Sequence, residues 1–308
     1  MLLFVFVDGV GIGREGPQNP FTDLGGPILS ALAGGRTDLP ANVAHASTDA
    51  NLGVDGLPQS ATGQATIFTG TNASKLLGRH LWGFPNQRLR ALIAEHSFLK
   101  TAKEAGRRVA FLNPFPPEYL KMREPSRIGC STWAALASGE PLRTPQDLLD
   151  ERAVGYDLTG DRLRARGWPA PRRTPEECGR ILVCAARELD LAMFEYFLTD
   201  VAGHTRDARW GRLEARRLRG LVDGILTEMG PEDRLCLTSD HGNLEDLSTS
   251  SHTRNAVLTI WAGPDAADSA AAIRDLTDVA PTILRAIGVD PLRLNPRPPR
   301  EISPAAVP

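Results

Sequence analysis

Three short apolar runs in this chain end on an aspartate, and that pattern limits the possible folds more than any other feature. Leu2–Val7 runs into Asp8, Ala192–Leu198 into Asp200, and Arg234–Thr238 into the pair Asp240-His241. Continuous apolar runs of this length, bounded by turn residues, read as strands buried on both faces of a parallel sheet. Asn255–Trp261 and Arg108–Leu112 predict two further strands. Helical patterns lie between them, at Gln87–Gly106, Thr174–Leu189, Ala208–Met229 and Asp278–Ile287. In Ala208–Met229, Trp210, Leu213, Leu218, Leu221, Val222 and Ile225 fall on one face. Strands alternating with helices imply an α/β layered fold with a mostly parallel sheet.

A chain of 308 residues allows one large domain or two modest ones. The middle of the chain differs in texture, with Pro-rich breaks at Asn113-Pro-Phe-Pro-Pro117 and Trp168-Pro-Ala-Pro171. We therefore expect a discontinuous catalytic core, residues 1–75 plus 187–293, interrupted by an inserted cap or substrate domain at 76–186. A Pro-rich tail at 294–308 follows. The formal net charge of -2 marks neither a nucleic-acid binder nor a polyanionic tail protein. No run reaches the roughly 20 apolar residues of a membrane span. The apolar N-terminus lacks a basic leader and a cleavage site, and reads as a first strand. Four cysteines, scattered and without a CxxC pair, fit a reducing compartment, so a cytoplasmic location is expected.

Ligands in open α/β sheets gather at the carboxyl ends of strands, which is where Asp8, Asp200 and Asp240 fall. Histidines accompany them: His204 in Asp200-Val-Ala-Gly-His204, His241 beside Asp240, and His252 in Ser250-Ser-His-Thr-Arg-Asn255. Taken singly, an aspartate after a strand is a helix cap, and Asp-His-Gly is turn chemistry. Jointly, mixed carboxylate and imidazole groups at strand ends suit Zn²⁺ or Mn²⁺, and six such groups suit two ions. A separate segment, Gly56-Leu-Pro-Gln-Ser60-Ala-Thr-Gly-Gln64, places Ser60 at a helix start, where free N–H groups favour a phosphate. Ser60 there is either a helix cap or a nucleophile, and Thr62 is a rival for the second role.

The set Asp8-Gly9, Ser60-Ala-Thr-Gly-Gln64, Asp200-Val-Ala-Gly-His204, Asp240-His241-Gly-Asn243 and His252-Thr-Arg-Asn255 resembles the alkaline phosphatase superfamily. It is closest to the branch of cofactor-independent phosphoglycerate mutase and phosphopentomutase, and Leu276-Thr-Asp-Val-Ala-Pro-Thr-Ile-Leu284 resembles that branch's C-terminal helix. The resemblance implies a three-layer α/β/α core, a smaller inserted α/β cap, and two divalent metal ions, Mn or Zn. It implies that Asp8, Ser60, Asp240 and His241 hold one ion, and that Asp200, His204 and His252 hold the other. Its register selects Ser60 over Thr62 as nucleophile, with Gln64 standing where the family has a histidine. The implied chemistry is transfer of a phosphoryl group from a small phosphorylated metabolite to Ser60, then to water in a phosphatase or to a retained hydroxyl in a phosphomutase. Trp82-Gly-Phe-Pro85 faintly resembles the start of a phosphopentomutase cap, and Arg79, Arg123 and Arg127 are candidates to grip an anion. A phosphodiesterase or phosphonate hydrolase shares the same metal core. A sulfatase is disfavoured because no Cys-x-Pro-x-Arg segment is present. A non-catalytic metal-binding protein is disfavoured by the intact ligand set.

Overall fold

The computed structural model describes residues 1–24, 26, 28–35, 39–122 and 124–294. The expected tail, beyond Leu294, and the candidate Arg123 lie outside the described residues. Six strands form one sheet: β1 (Leu2–Val7), β2 (Val43–Thr48), β3 (Val109–Phe111), β4 (Leu191–Tyr196), β5 (Arg234–Ser239) and β6 (Val257–Ala262), in the order β2-β6-β5-β1-β4-β3. β1 pairs in parallel with β4 and β5, and β3 in parallel with β4. β6 runs antiparallel to both β5 and β2, so five of the six strands share a direction.

β1 shows why the apolar runs lack alternation. Leu3, Val5 and Val7 face one core layer, while Leu2, Phe4 and Phe6 face the other. Strand side chains alternate between faces, so a strand covered on both sides must be apolar throughout. The first layer holds the helices Pro175–Ala186 and Ala208–Glu228. The second holds α1 (Ser60–Thr69) with the helices Gln87–His96, Phe98–Glu104, Cys130–Ala137 and Val279–Ala286. Edge-to-face pairs Phe4–Phe98 and Phe6–Phe68, with centroids 5.5 and 5.7 Å apart, tie this layer to β1.

The structure departs from the sequence reading in three places. The expected Gln87–Gly106 helix is two helices, because Ser97 is extended (φ -61°, ψ 132°) and its buried hydroxyl donates to the Ala134 carbonyl. β2 was not foreseen: its sequence Val-Ala-His-Ala-Ser-Thr has few large apolar groups, and it lies at the sheet edge. The segment 76–186 is not set apart from the core at the expected boundaries. It supplies β3 to the common sheet, and Leu89, Ile93, Phe98 and Cys130 to the same apolar cluster as Phe4. Only part of it, around Leu148, Leu163 and Ala170, builds a small apolar cluster of its own.

Candidate metal centre and adjoining cavity

β1, β4 and β5 are parallel neighbours in register, Val7 lying between Tyr196 and Ser239, so the residues that follow them emerge at one edge. Asp8 and Asp240 come directly after β1 and β5. Asp200 is not in a loop: β4 stops at Tyr196, and a helix over Leu198–Thr205 carries Asp200 in its first turn and His204 one turn on. The i,i+4 spacing stacks them on one face, with His204 Nε2 3.3 Å from Asp200 Oδ2. The 240–255 loop brings in the other two imidazoles. Buried Glu245 fixes that loop by accepting from the Gly11 and Asn243 N–H groups, the Thr253 hydroxyl and the Asn255 amide.

All seven expected residues meet. Around His241 Nε2 lie Ser60 Oγ at 3.0 Å, Asp8 Oδ1 at 3.4 Å and Asp240 Oδ2 at 3.5 Å. His252 Nε2 lies 3.6 Å from Asp200 Oδ1 and 3.2 Å from His204 Nε2. Donor atoms of Asp8, Asp240 and His241 lie within 4.8 Å of one another, as do those of Asp200, His241 and His252. His241 thus sits between the two groups, its ring stacked on that of His252 with centroids 3.7 Å apart. His204, whose side chain is 45% exposed, closes the second group from the solvent side.

This donor set fits divalent cations. His204 and His252 each use Nδ1 on a carbonyl, of Ser250 and Pro58, both at 2.8 Å. In the neutral ring that bond puts the proton on Nδ1 and leaves Nε2 free to ligate. The two Nε2 atoms lie 3.2 Å apart beside the Asp200 carboxylate, an arrangement that calls for positive charge, whether a proton on His204 or a metal ion. Asp8 Oδ1 is buried and accepts no hydrogen bond. Burial, and then repulsion from Asp240 and Asp200, raises the Asp8 carboxyl well above its usual range. Burial, with the Asp200 charge, brings Asp240 up to about 7. Burial would raise Asp200 as well, but the His204 hydrogen bond and the His241 charge hold it down to about 2. The same bond lifts His204 to about 9, while burial lowers His241 and His252. A concave array of carboxylates short of positive charge is what an oxygen- and nitrogen-binding metal neutralises.

Gln64 has a defined place. Its Nε2 donates to Asp8 Oδ2 and to Asp240 Oδ2, each at 3.2 Å, so one amide bridges both carboxylates without adding charge. Ser60 does not cap α1: Gln59 occupies that position, and the Ser60 hydroxyl reaches His241 instead. Thr62 is fully buried, its hydroxyl donating to the Gln59 carbonyl and accepting from the Leu81 N–H. Beside the centre opens a cavity of about 480 Å³ lined by Asp8, Ser60, Gln64, Glu195 and Asp200, with Arg127 and Arg166 among its other residues. Arg79 does not line it. Glu195, Ser131, Asn113 and Glu245 were missed in the sequence, because isolated polar residues carry no spacing signal, and Asn243 was quoted only as part of its motif, without a role.

Residues 170–291 match the family model described as the metalloenzyme superfamily. The 2,3-bisphosphoglycerate-independent phosphoglycerate mutases of Natronomonas pharaonis and Halobacterium salinarum are 36% and 37% identical over 112 and 118 residues, or 33% and 34% of this chain. The chain covers only 22% of the length of each. In three dimensions, a variant of the TAB5 alkaline phosphatase aligns with a TM-score of 0.54 at 10% identity, over 94% of this chain and 98% of that one. The lipoteichoic acid synthase LtaP of Listeria monocytogenes gives 0.53 at 8% identity, over 94% and 72%. Over residues 170–291 the chain is thus similar to the metalloenzyme superfamily, and its fold is that of the alkaline phosphatase and LtaP structures. The sequence is similar to phosphoglycerate mutases over about a third of its length.

Proposed function

We propose that the protein transfers a phosphoryl group from a small phosphorylated metabolite through a phosphoserine at Ser60, as a phosphomonoesterase or phosphomutase. The observation that carries this reading is Ser60 Oγ, on the first residue of α1 and 3.0 Å from His241 Nε2, facing a substrate-sized cavity. Asp8, Asp240 and His241, with Ser60, would hold one ion; Asp200, His252 and His204 would hold the other. Two divalent ions, Mn or Zn, would supply Lewis-acid stabilisation of phosphoryl and nucleophile oxygens. The chain's own groups do the rest. Ser60 Oγ attacks phosphorus in line with the leaving alcohol. The α1 N-terminus directs its dipole at the phosphoryl oxygens, and Gln64 holds Asp8 and Asp240 in place.

Phosphomonoesters are favoured over diesters by the cavity, because Arg127 and Arg166 line it and a second anionic group on a small substrate would find them there. No helix among the described residues is long and apolar enough to cross a membrane. The test is to incubate the metal-loaded protein with sugar phosphates and phosphoglycerates, following free phosphate and isomerised product together. Phosphate release identifies a phosphatase and isomer without phosphate a mutase. Turnover of diesters alone would overturn the proposal.

A further inference from the structure

Outside the metal ligands, the cavity holds one more acid, Glu195 on β4. The sheet register sets its direction. Phe6 pairs with Glu195, and Asp8 follows Phe6 by two residues, so Asp8 and Glu195 project to the same side of adjacent strands. β3 has ended by this level, and the Asn113 side chain replaces it. Asn113 Oδ1 accepts from the Glu195 N–H at 2.8 Å, and Asn113 Nδ2 donates to the Glu195 carbonyl at 2.9 Å. Ser131 at the start of the Cys130–Ala137 helix donates its hydroxyl to Glu195 Oε2 at 2.7 Å. Backbone and side chain are thus both fixed, which is the preorganisation a proton-transfer group requires. No cation is paired with this carboxyl among the described ion pairs. The charged and titratable groups facing it are Asp8 after β1, Asp240 after β5 and the Cys130 thiol.

We propose that Glu195 is the acid that protonates the leaving alcohol when Ser60 is phosphorylated, and the base that activates the acceptor hydroxyl or water in the second transfer. The proposal rests on the phosphoryl-transfer reading above. In the first step the bond from Ser60 Oγ to phosphorus forms, the Ser60 proton having passed to solvent. The bond from phosphorus to the alcohol oxygen breaks, its electron pair goes to that oxygen, and the Glu195 proton neutralises it. In the second step the oxygen of the attacking water or hydroxyl bonds to phosphorus as its proton passes to the Glu195 carboxylate, which is restored. The bond from phosphorus to Ser60 Oγ breaks, its electron pair returns to Oγ, and Oγ regains a proton from solvent. In-line geometry supports the assignment, since attack from Ser60 drives the leaving oxygen away from α1 and into the cavity that Glu195 borders. Burial brings its carboxyl up to about 7, so both protonation states are available near neutrality.

The test compares wild type with Glu195→Gln on ethyl phosphate, whose alkoxide leaves only with a proton, and on 4-nitrophenyl phosphate, whose phenolate leaves without one. Bound metal and thermal melting of both proteins are measured alongside. With metal content unchanged, the expected result is a loss of about 10²-fold or more in kcat on ethyl phosphate and only a few-fold on the aryl ester. Equal losses on both, or no loss on ethyl phosphate, would overturn the assignment while leaving phosphoryl transfer intact. Should the variant not fold, the wild-type rate across a series of alkyl phosphates decides: a shallow dependence on leaving-group basicity supports the acid and a steep one refutes it. No turnover of any monoester by the metal-loaded wild type would instead refute phosphoryl transfer itself, and Glu195's role with it.

Discussion

The proposed reaction divides the side chains of the site into groups that would react and groups that hold them. Ser60 touches His241 but serves no capping bond, so Ser60→Ala removes little that holds α1 in place. Its expected effect is loss of phosphoryl transfer by at least about a thousandfold, with melting temperature and metal content near wild type; near-normal turnover would exclude a phosphoserine at this position. Glu245 is of the second kind. Replacing it by Ala leaves the buried Gly11 and Asn243 N–H groups unpaired, at about 1–3 kcal/mol for each orphaned group. Urea unfolding should show a drop of that order, with weakened metal binding, because the 240–255 loop carries His241 and His252. Glu195 supplies a pH signature of its own. Its carboxyl lies at about 7 in the fold against an ordinary 4.5, so between those pH values the native state binds more protons than the unfolded chain. Stability from this group is therefore fully present below pH 4.5 and is lost as pH rises through 7, by up to about 3 kcal/mol. Subtracting the stability–pH curve of Glu195→Gln from that of wild type should reveal that fall; a flat difference would show that the carboxyl ionises normally.

Elements set the approach distances, and glycine decides two of them. A Cβ on Gly63 would sit 2.9 Å from both the Cβ and the carbonyl oxygen of Asp240, so α1 reaches the metal centre only because this residue has no side chain. Helix propensity favours Gly63→Ala by about 1 kcal/mol, but the clash acts on backbone that cannot yield cheaply. We expect at least a tenfold loss of activity and weaker metal binding, measured by titration of the apo protein; unchanged affinity would show that α1 can shift. At Gly224 a Cβ would lie 2.2 Å from the Glu176 carbonyl oxygen of the facing helix, which explains how Pro175–Ala186 and Ala208–Glu228 pack so closely. The helix over Ala208–Glu228 was legible in the sequence because its apolar stripe is long and one-sided. α1 was not legible as an amphipathic helix, because Ala61–Thr69 are all buried and no polar face remains. The split at Ser97 was hidden for another reason, since it depends on a hydrogen bond to a residue 37 positions away.

For the whole molecule, the candidate metal centre gathers the residues after β1 and β5, the Leu198–Thr205 helix, α1 and the 240–255 loop at one edge of the sheet. Ions bound by the folded state alone add stability by mass action, about 3 kcal/mol for each at a hundredfold excess over its Kd. Exhaustive chelation should therefore abolish activity and lower the melting temperature by several degrees, and Mn²⁺ or Zn²⁺ should restore both. Activity that survives metal removal, verified by elemental analysis, would exclude the two-ion arrangement.

The sequence by itself determined the α/β class, the direction of β1, β4 and β5, and the identity of the carboxylates and imidazoles that converge at their ends. It did so because strand-end position and residue chemistry are local properties, written in runs of a few residues. Which groups meet was decided only by the tertiary structure. The placing of His241 beside Ser60, the Gln64 bridge and the cavity acid Glu195 depend on contacts across 56 to 181 positions, where no period or spacing carries a signal. The same holds for the segment 76–186, whose prolines mark breaks in the chain while its apolar residues fill the common core. A break in chain texture reports local geometry, whereas domain membership is set by which surfaces are buried together.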